Sequence, residues 1–204
     1  MARPREDHKK ADLAERVVTA LEREGLGISN ERLAALVGVK RPTLLYHFPT
    51  AGDAVRTVLA SLLAQQAAFV AERVERHEHP IDRLDARLRA IGEFHRGREA
   101  RVLFLSTAVA ALGGAEAMKI VSQASAFFDA DRRAMVQRIE RGIADGIVAP
   151  CDAKALVSTL RALVDGLTIQ RVASRDDLGP VYDLVWERIL LPLKRTPRKK
   201  GKPS

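Results

Sequence analysis

Apolar positions recur at spacings of three and four along almost the whole chain, and no stretch alternates as a half-buried strand does. A first helix is predicted over 9–24, with Leu13, Val17, Val18 and Leu21 on one face. Two short helices follow in 29–48: one carries Leu33, Ala34, Leu36 and Val37, the other Leu44 and Phe48 four apart. From Asp53 to about His77 the period is sustained by Val55, Val58, Leu62, Phe69, Val70 and Val74, a long amphipathic helix. Pro80 opens the next, with Ile81, Leu84, Leu88, Ile91 and Phe94, and Gly97 ends it. Val102 to Leu112 is nearly all apolar, which predicts a helix surrounded by others, and Gly113-Gly114 is a turn. Residues 115–147 predict one long helix whose period survives Asp129 and Asp131, and two further helices are expected over 152–173 and 177–192. The expected fold is all-α. It divides into an N-terminal three-helix unit, 1–50, a larger helical bundle, 51–192, and a tail, 193–204.

The stretch 29–48 says most about function. Gly38 lies just past the last periodic residue of its helix, where a left-handed conformation ends helices. Pro42 falls in the first turn of the next helix, where a missing amide hydrogen costs little. Leu44 and Phe48 pin that helix inward. Lys40, Arg41, Thr43, Tyr46 and His47 remain outward beside Pro42, with no acid among them. A short helix that offers cations and hydroxyls on its free side meets the requirements of major-groove entry. The same shape also occurs as an ordinary packing corner, and the preceding helix over 9–24, which closes a three-helix unit, favours DNA binding.

This segment resembles the helix-turn-helix of the tetracycline-repressor-like (TetR) family of transcriptional regulators, through Leu33-Ala34, Gly38-Val39, Pro42-Thr43-Leu44 and His47-Phe48. Three positions depart from the family pattern. Lys40 replaces a capping serine, Leu45 replaces a tyrosine, and Pro49-Thr50-Ala51-Gly52-Asp53 replaces a lysine-bearing helix entry. The resemblance implies a DNA-binding head, a small-molecule pocket among the middle helices and dimerisation through the last two. Phe69, Phe94, Phe104, Phe127 and Phe128 are core fillers by default; the resemblance makes them candidates to line an apolar pocket.

The last two helices carry apolar stripes wider than one neighbour requires. Leu156, Leu160, Leu163, Val164 and Leu167 form one, and Val181, Leu184, Val185, Trp186, Ile189 and Leu190 the other. Such helices are either sandwiched within their own subunit or shared with a second copy. A dimer also sets two recognition helices one DNA turn apart. Leu160, Leu163, Val164, Leu167, Val185 and Ile189 are therefore the expected interface.

Composition changes this picture little. The chain has 204 residues, 47% hydrophobic and 29% charged, and a formal charge of +8. Six of those positive charges lie in 194–204, which has no acid, so net charge alone does not mark a DNA binder. That tail reads as a solvated end or as a weak phosphate attractor. No uninterrupted apolar run reaches membrane-spanning length, the N-terminus has no signal-like apolar region, and the single Cys151 suits a reducing cytoplasm. His77 and His79, two apart, lack metal-pair spacing, and His95 reads as a cation at a helix C-terminus. No phosphate loop, nucleophile elbow or paired-carboxylate pattern occurs. The expected function is a cytoplasmic, homodimeric repressor of operator DNA, released by a small apolar effector, with no cofactor, metal, membrane or catalytic residues. A helical-bundle enzyme and an effector-independent architectural DNA protein are the alternatives.

Overall fold

The computed structural model describes residues 3–174 and 176–195. Among them the chain forms α1 (Arg3–Glu24), α2 (Asn30–Leu36), α3 (Arg41–His47), α4 (Ala51–Val74), α5 (Pro80–His95), α6 (Glu99–Leu112), α7 (Gly114–Phe127), α8 (Asp129–Ala144), α9 (Ala153–Ser174) and α10 (Gly179–Val185). A π turn (Trp186–Leu190) and a 3₁₀ turn (Leu191–Leu193) close it. Packing divides the chain into two compact units, 1–65 with 101–125, and 66–100 with 126–204. This division by contact does not follow a boundary at residue 50.

The first unit packs Leu13, Val17, Val18 and Leu21 of α1 against Leu33, Val37, Leu44 and Phe48 of the two short helices. Ala54, Val55 and Val58 of α4 and Leu105, Ala108, Val109 and Ile120 of α6 and α7 belong to the same core. Full burial of a Val, Leu or Phe side chain contributes roughly 1.5–3 kcal/mol each, so the short helices stand by tertiary packing rather than by their own propensity. Arg101 fastens α6 to α1, with Nη1 3.0 Å from Glu22 and Nη2 donating to the Thr19 hydroxyl at 3.1 Å. Leu36 departs from expectation: it is 49% exposed, because the helical turn places it to the side of the face formed by the buried Leu33, Ala34 and Val37.

The second unit is built on α5, α8, α9 and the closing turns, with Ile81, Leu84, Leu88, Ile139, Val157, Leu160, Val185 and Leu190 in its main core. Val70, Val74 and Ala90 form a satellite cluster. Gly92 lies so close to the Tyr182 hydroxyl that a Cβ has no room there. His79 caps α5 through Nδ1, which accepts from the Ile81 amide at 3.1 Å, while its Nε2 lies 3.0 Å from the Ile147 carbonyl.

Three expectations are corrected. The helix expected over 115–147 is two, broken at Phe128, and Asp129 and Asp131 sit in the first turn of α8, where the dipole favours acids. The helix expected over 177–192 is regular only to Val185. Pro192, without an amide hydrogen, lies in the 3₁₀ turn that ends it. Leu193, Lys194 and Arg195 are not a free tail: the Ala149 amide donates to Leu193 O at 2.8 Å, the Arg195 amide to Ile147 O at 2.9 Å, and Lys194 pairs with Asp82 at 2.8 Å. The remaining basic residues of the tail lie outside the described residues.

By length and composition α4 is apolar enough to cross a membrane, a feature hidden by counting only uninterrupted runs. Gln65 and Gln66 sit at its middle, and Arg73 is ion-paired with Glu93 at 3.1 Å. Ala54, Val55 and Val58 near its start are buried in the first unit's core, and Val70 and Val74 near its end in the second unit's satellite cluster. Between these ends, residues 59–69 are half-buried or exposed in the single chain.

Candidate nucleic-acid interface

Backbone chemistry places the second short helix. Ser29 caps α2, its hydroxyl accepting from the Arg32 amide at 3.3 Å. Gly38, with φ +67°, ends that helix: the Gly38 amide donates to Ala35 O at 3.2 Å and the Val39 amide to Ala34 O at 3.0 Å. These two bonds satisfy carbonyls the helix leaves open and reverse the chain. Arg16 of α1 donates from Nη1 to the Val37 carbonyl at 2.7 Å, tying the turn to the first helix. Lys40 begins α3 with no side-chain cap bond, and Pro42 occupies its first turn.

On α3, Leu44 and Phe48 are buried, and Lys40, Arg41, Pro42 and Thr43 are exposed. Tyr46 is 83% exposed, and its ring meets that of the half-buried His47 edge-on, with centroids 5.0 Å apart. No acid lies on this helix, so its free face is cationic and hydroxylic. All six residues singled out by sequence thus lie on or beside one helix.

The entry to α4 holds a device the sequence reading missed. Thr50 and Asp53 cap each other: the Thr50 amide donates to Asp53 Oδ2 at 3.0 Å and the Asp53 amide to the Thr50 hydroxyl at 3.2 Å. The signal was the Thr-x-x-Asp spacing itself. Partial burial raises the Asp53 pKa, but the Thr50 hydrogen bonds and Arg56 at 2.6 Å outweigh it and hold the carboxyl below its usual range. Gly52 faces the Leu112 side chain, which stands 3.0 Å from where a Cβ would be, so α4 meets the end of α6 closely here. Arg56 also reaches Glu116 of α7 at 3.3 Å.

The five phenylalanines make separate contacts, two ring pairs and one residue against a core. Phe69 and Phe94 are neighbours with centroids 5.5 Å apart, and the Arg73 guanidinium lies 3.3 Å over Phe69. Phe127 and Phe128 pair with each other at 4.9 Å, and Phe127 is 48% exposed. Phe104 packs against the first unit's core. The expected interface residues divide as well. Leu160, Leu167 and Val185 are buried within the single chain, Leu163 and Val164 are half-buried, and Ile189 is exposed. Leu160 and Val185 belong to their own unit's core, so the wide stripes are partly intramolecular.

His95 overturns its reading as a helix-end cation. It is buried, Nε2 lies 3.0 Å from Gln66 Oε1, and Nδ1 has no hydrogen-bond partner among the described residues. Burial, helped by the charge of Arg98, pushes its pKa below the ordinary 6.5. The unfolded chain therefore binds more protons as pH falls below about 6.5, and folding stability declines there until the folded pKa is passed. Thermal unfolding should show a lower midpoint at pH 5 than at pH 7.5, and His95→Gln should flatten that slope. An unchanged slope in the variant removes His95 as its source. Among the described residues no group of three or more His, Cys, Asp or Glu is placed to hold a metal.

The architecture is that of an all-helical protein with an N-terminal helix-turn-helix. No family model matches the chain, and no curated protein matches it in sequence. Solved structures do match. The TetR-family regulator PfmR of Thermus thermophilus aligns with a TM-score of 0.67 at 16% identity, over 90% of this chain and 99% of that one. A transcriptional regulator from Saccharomonospora viridis in complex with choline gives 0.68 at 18%, over 92% and 99%. AibR, in complex with isovaleryl coenzyme A and operator DNA, gives 0.63 at 15%, over 89% and 98%. The chain has the fold of TetR-family transcriptional regulators.

Proposed function

We propose that this protein is a homodimeric, sequence-specific DNA-binding transcriptional regulator, a cytoplasmic repressor released from its operator by a small molecule, and not an enzyme. The observation that carries this reading is the acid-free face of α3, with Arg41, Thr43 and Tyr46 exposed on a helix held by the buried Leu44 and Phe48. Arg41 and Thr43 read base edges: arginine bonds guanine bidentately, and a threonine methyl meets a thymine methyl. Lys40, Tyr46 and His47 take phosphates, which fix register and supply affinity. AibR with operator DNA and an acyl coenzyme A, and the regulator with choline, support the pairing of operator and effector on this fold.

Residues 1–50 are the DNA-binding part and 51–192 serve effector binding and dimerisation. The dimer face is the outward side of the last helices. There Ile169 is 60%, Leu184 57% and Leu191 45% exposed, beside Ile189. Gly166 on the same side of α9 has open space where a Cβ would be, so packing within the chain does not require it. A mid-helix glycine costs about 1 kcal/mol against alanine, and close approach of a partner helix gives it a reason. Effector binding reaches the DNA through α6 and α7, whose Leu105, Val109 and Ile120 share a core with Leu44 and Phe48. Gly52 is the seat of Leu112 in this route. Coupling of this kind typically amounts to about 1–3 kcal/mol.

Selection from random duplex DNA tests the reading. The expected result is an inverted repeat with half-sites about 34–36 Å apart, as two-fold related recognition helices require. Equal binding of all sequences, or none, overturns it.

A further inference from the structure

Within the second unit, the end of α4, the start of α5 and the middle of α8 line a partly open cleft of about 60 Å³. Arg83 and Arg87 of α5 and Arg138 of α8 line it, against a single carboxylate, Asp131. Leu84, Met135 and Ile139 supply an apolar wall. Asp131 is already engaged: its oxygens lie 2.7 and 2.8 Å from Arg87 Nη2. Arg83 donates to the His77 carbonyl at 2.7 Å, which holds its guanidinium in place without neutralising it. Among the described residues neither Arg83 nor Arg138 has an ion-pair partner within 4.0 Å. Burial, and then the neighbouring charge of Arg138, hold the Arg83 pKa below its ordinary value, consistent with two like charges sharing one cleft.

Two guanidinium groups without an ion-pair partner among the described residues, offset only at longer range by Glu75 and Asp131 beside Arg83, stand against an apolar wall and are matched by a ligand with one negative oxyanion and a short hydrocarbon. We propose that this cleft binds a small amphipathic carboxylate, its oxygens on Arg83 and Arg138 and its first methylenes on Leu84, Met135 and Ile139. Arginine forks suit carboxylate geometry. Asp131, fixed beside them by Arg87, disfavours a dianion. The volume admits several water-sized groups, hence a carboxylate and its first carbons rather than a whole drug-sized ligand. None of the five phenylalanines lines this site, and the assignment stands whether or not the protein proves to bind an operator.

Calorimetric titration of the full-length protein with hexanoate, hexanamide and inorganic phosphate decides the matter. Hexanoate is expected to bind saturably, at least tenfold tighter than the neutral amide and tighter than phosphate, because buried methylenes add to its affinity. Arg83→Gln with Arg138→Gln should weaken hexanoate at least tenfold, whereas Arg133→Gln, exposed on α8 and outside the cavity, should leave it unchanged. Arg138→Gln alone, at an exposed position, keeps the test valid if loss of the Arg83–His77 bond disturbs folding. Absence of hexanoate binding, equal binding of acid and amide, tighter binding of phosphate, or full affinity in the Arg138 variant overturns the assignment.

Discussion

Leu184→Glu is expected to turn a dimer into a folded monomer. In the single chain Leu184 is more than half exposed, like Ile169 on α9, and no core cluster among the described residues includes either. A carboxylate at that position harms the isolated chain little but becomes an unpaired charge when a second copy covers it. Breaking a buried contact in this way costs about 2–5 kcal/mol, roughly a thirty- to five-thousand-fold weaker dimer. Sedimentation should therefore move toward the monomer while the circular dichroism stays helical. Leu160→Glu makes the contrast: Leu160 lies in its own unit's core, so the same charge should lower helicity and the unfolding midpoint. The dimer assignment does not survive a wild-type protein that sediments as a monomer at micromolar concentration. Nor does it survive a Leu184→Glu protein that dimerises as before.

Arg41→Ala is expected to cost about 1–3 kcal/mol on the preferred operator and to relax choice at one base pair. Arg41 is exposed in the first turn of α3, without an ion-pair partner among the described residues, so its loss removes nothing from the fold. Tyr46→Phe and Lys40→Ala differ from it in kind. They should weaken good and poor sites alike, and loss of the Lys40 charge should make the salt dependence shallower. Titrations on the selected site and its single-base variants at several salt concentrations separate the two behaviours. If Arg41→Ala weakens every sequence equally, Arg41 holds a phosphate and the base-reading role belongs elsewhere on the helix.

The helix-turn-helix was legible in the residues because its determinants are local. Gly38 supplies a left-handed turn that few other residues adopt, Pro42 suits only a first turn, and Leu44 and Phe48 leave one orientation for the helix between them. The Thr50–Asp53 cap was equally local, and readable from its spacing. Periodicity also determined the all-α class, since spacings of three and four do not fit a strand. It did not determine what each apolar stripe faces, because a stripe has the same spacing whether its own chain or a second copy covers it. Only the tertiary structure decided that Leu160 and Val185 are buried at home while Ile169 and Leu184 are not. It alone decided that His95 is enclosed and that α6 and α7 share a core with α3. The cleft of Arg83 and Arg138 is likewise tertiary: the two arginines are 55 positions apart in the chain, and the packing of α8 on α5 brings them to one cavity. Local conformation follows from neighbours in sequence, whereas burial and charge depend on which distant side chains the fold brings alongside.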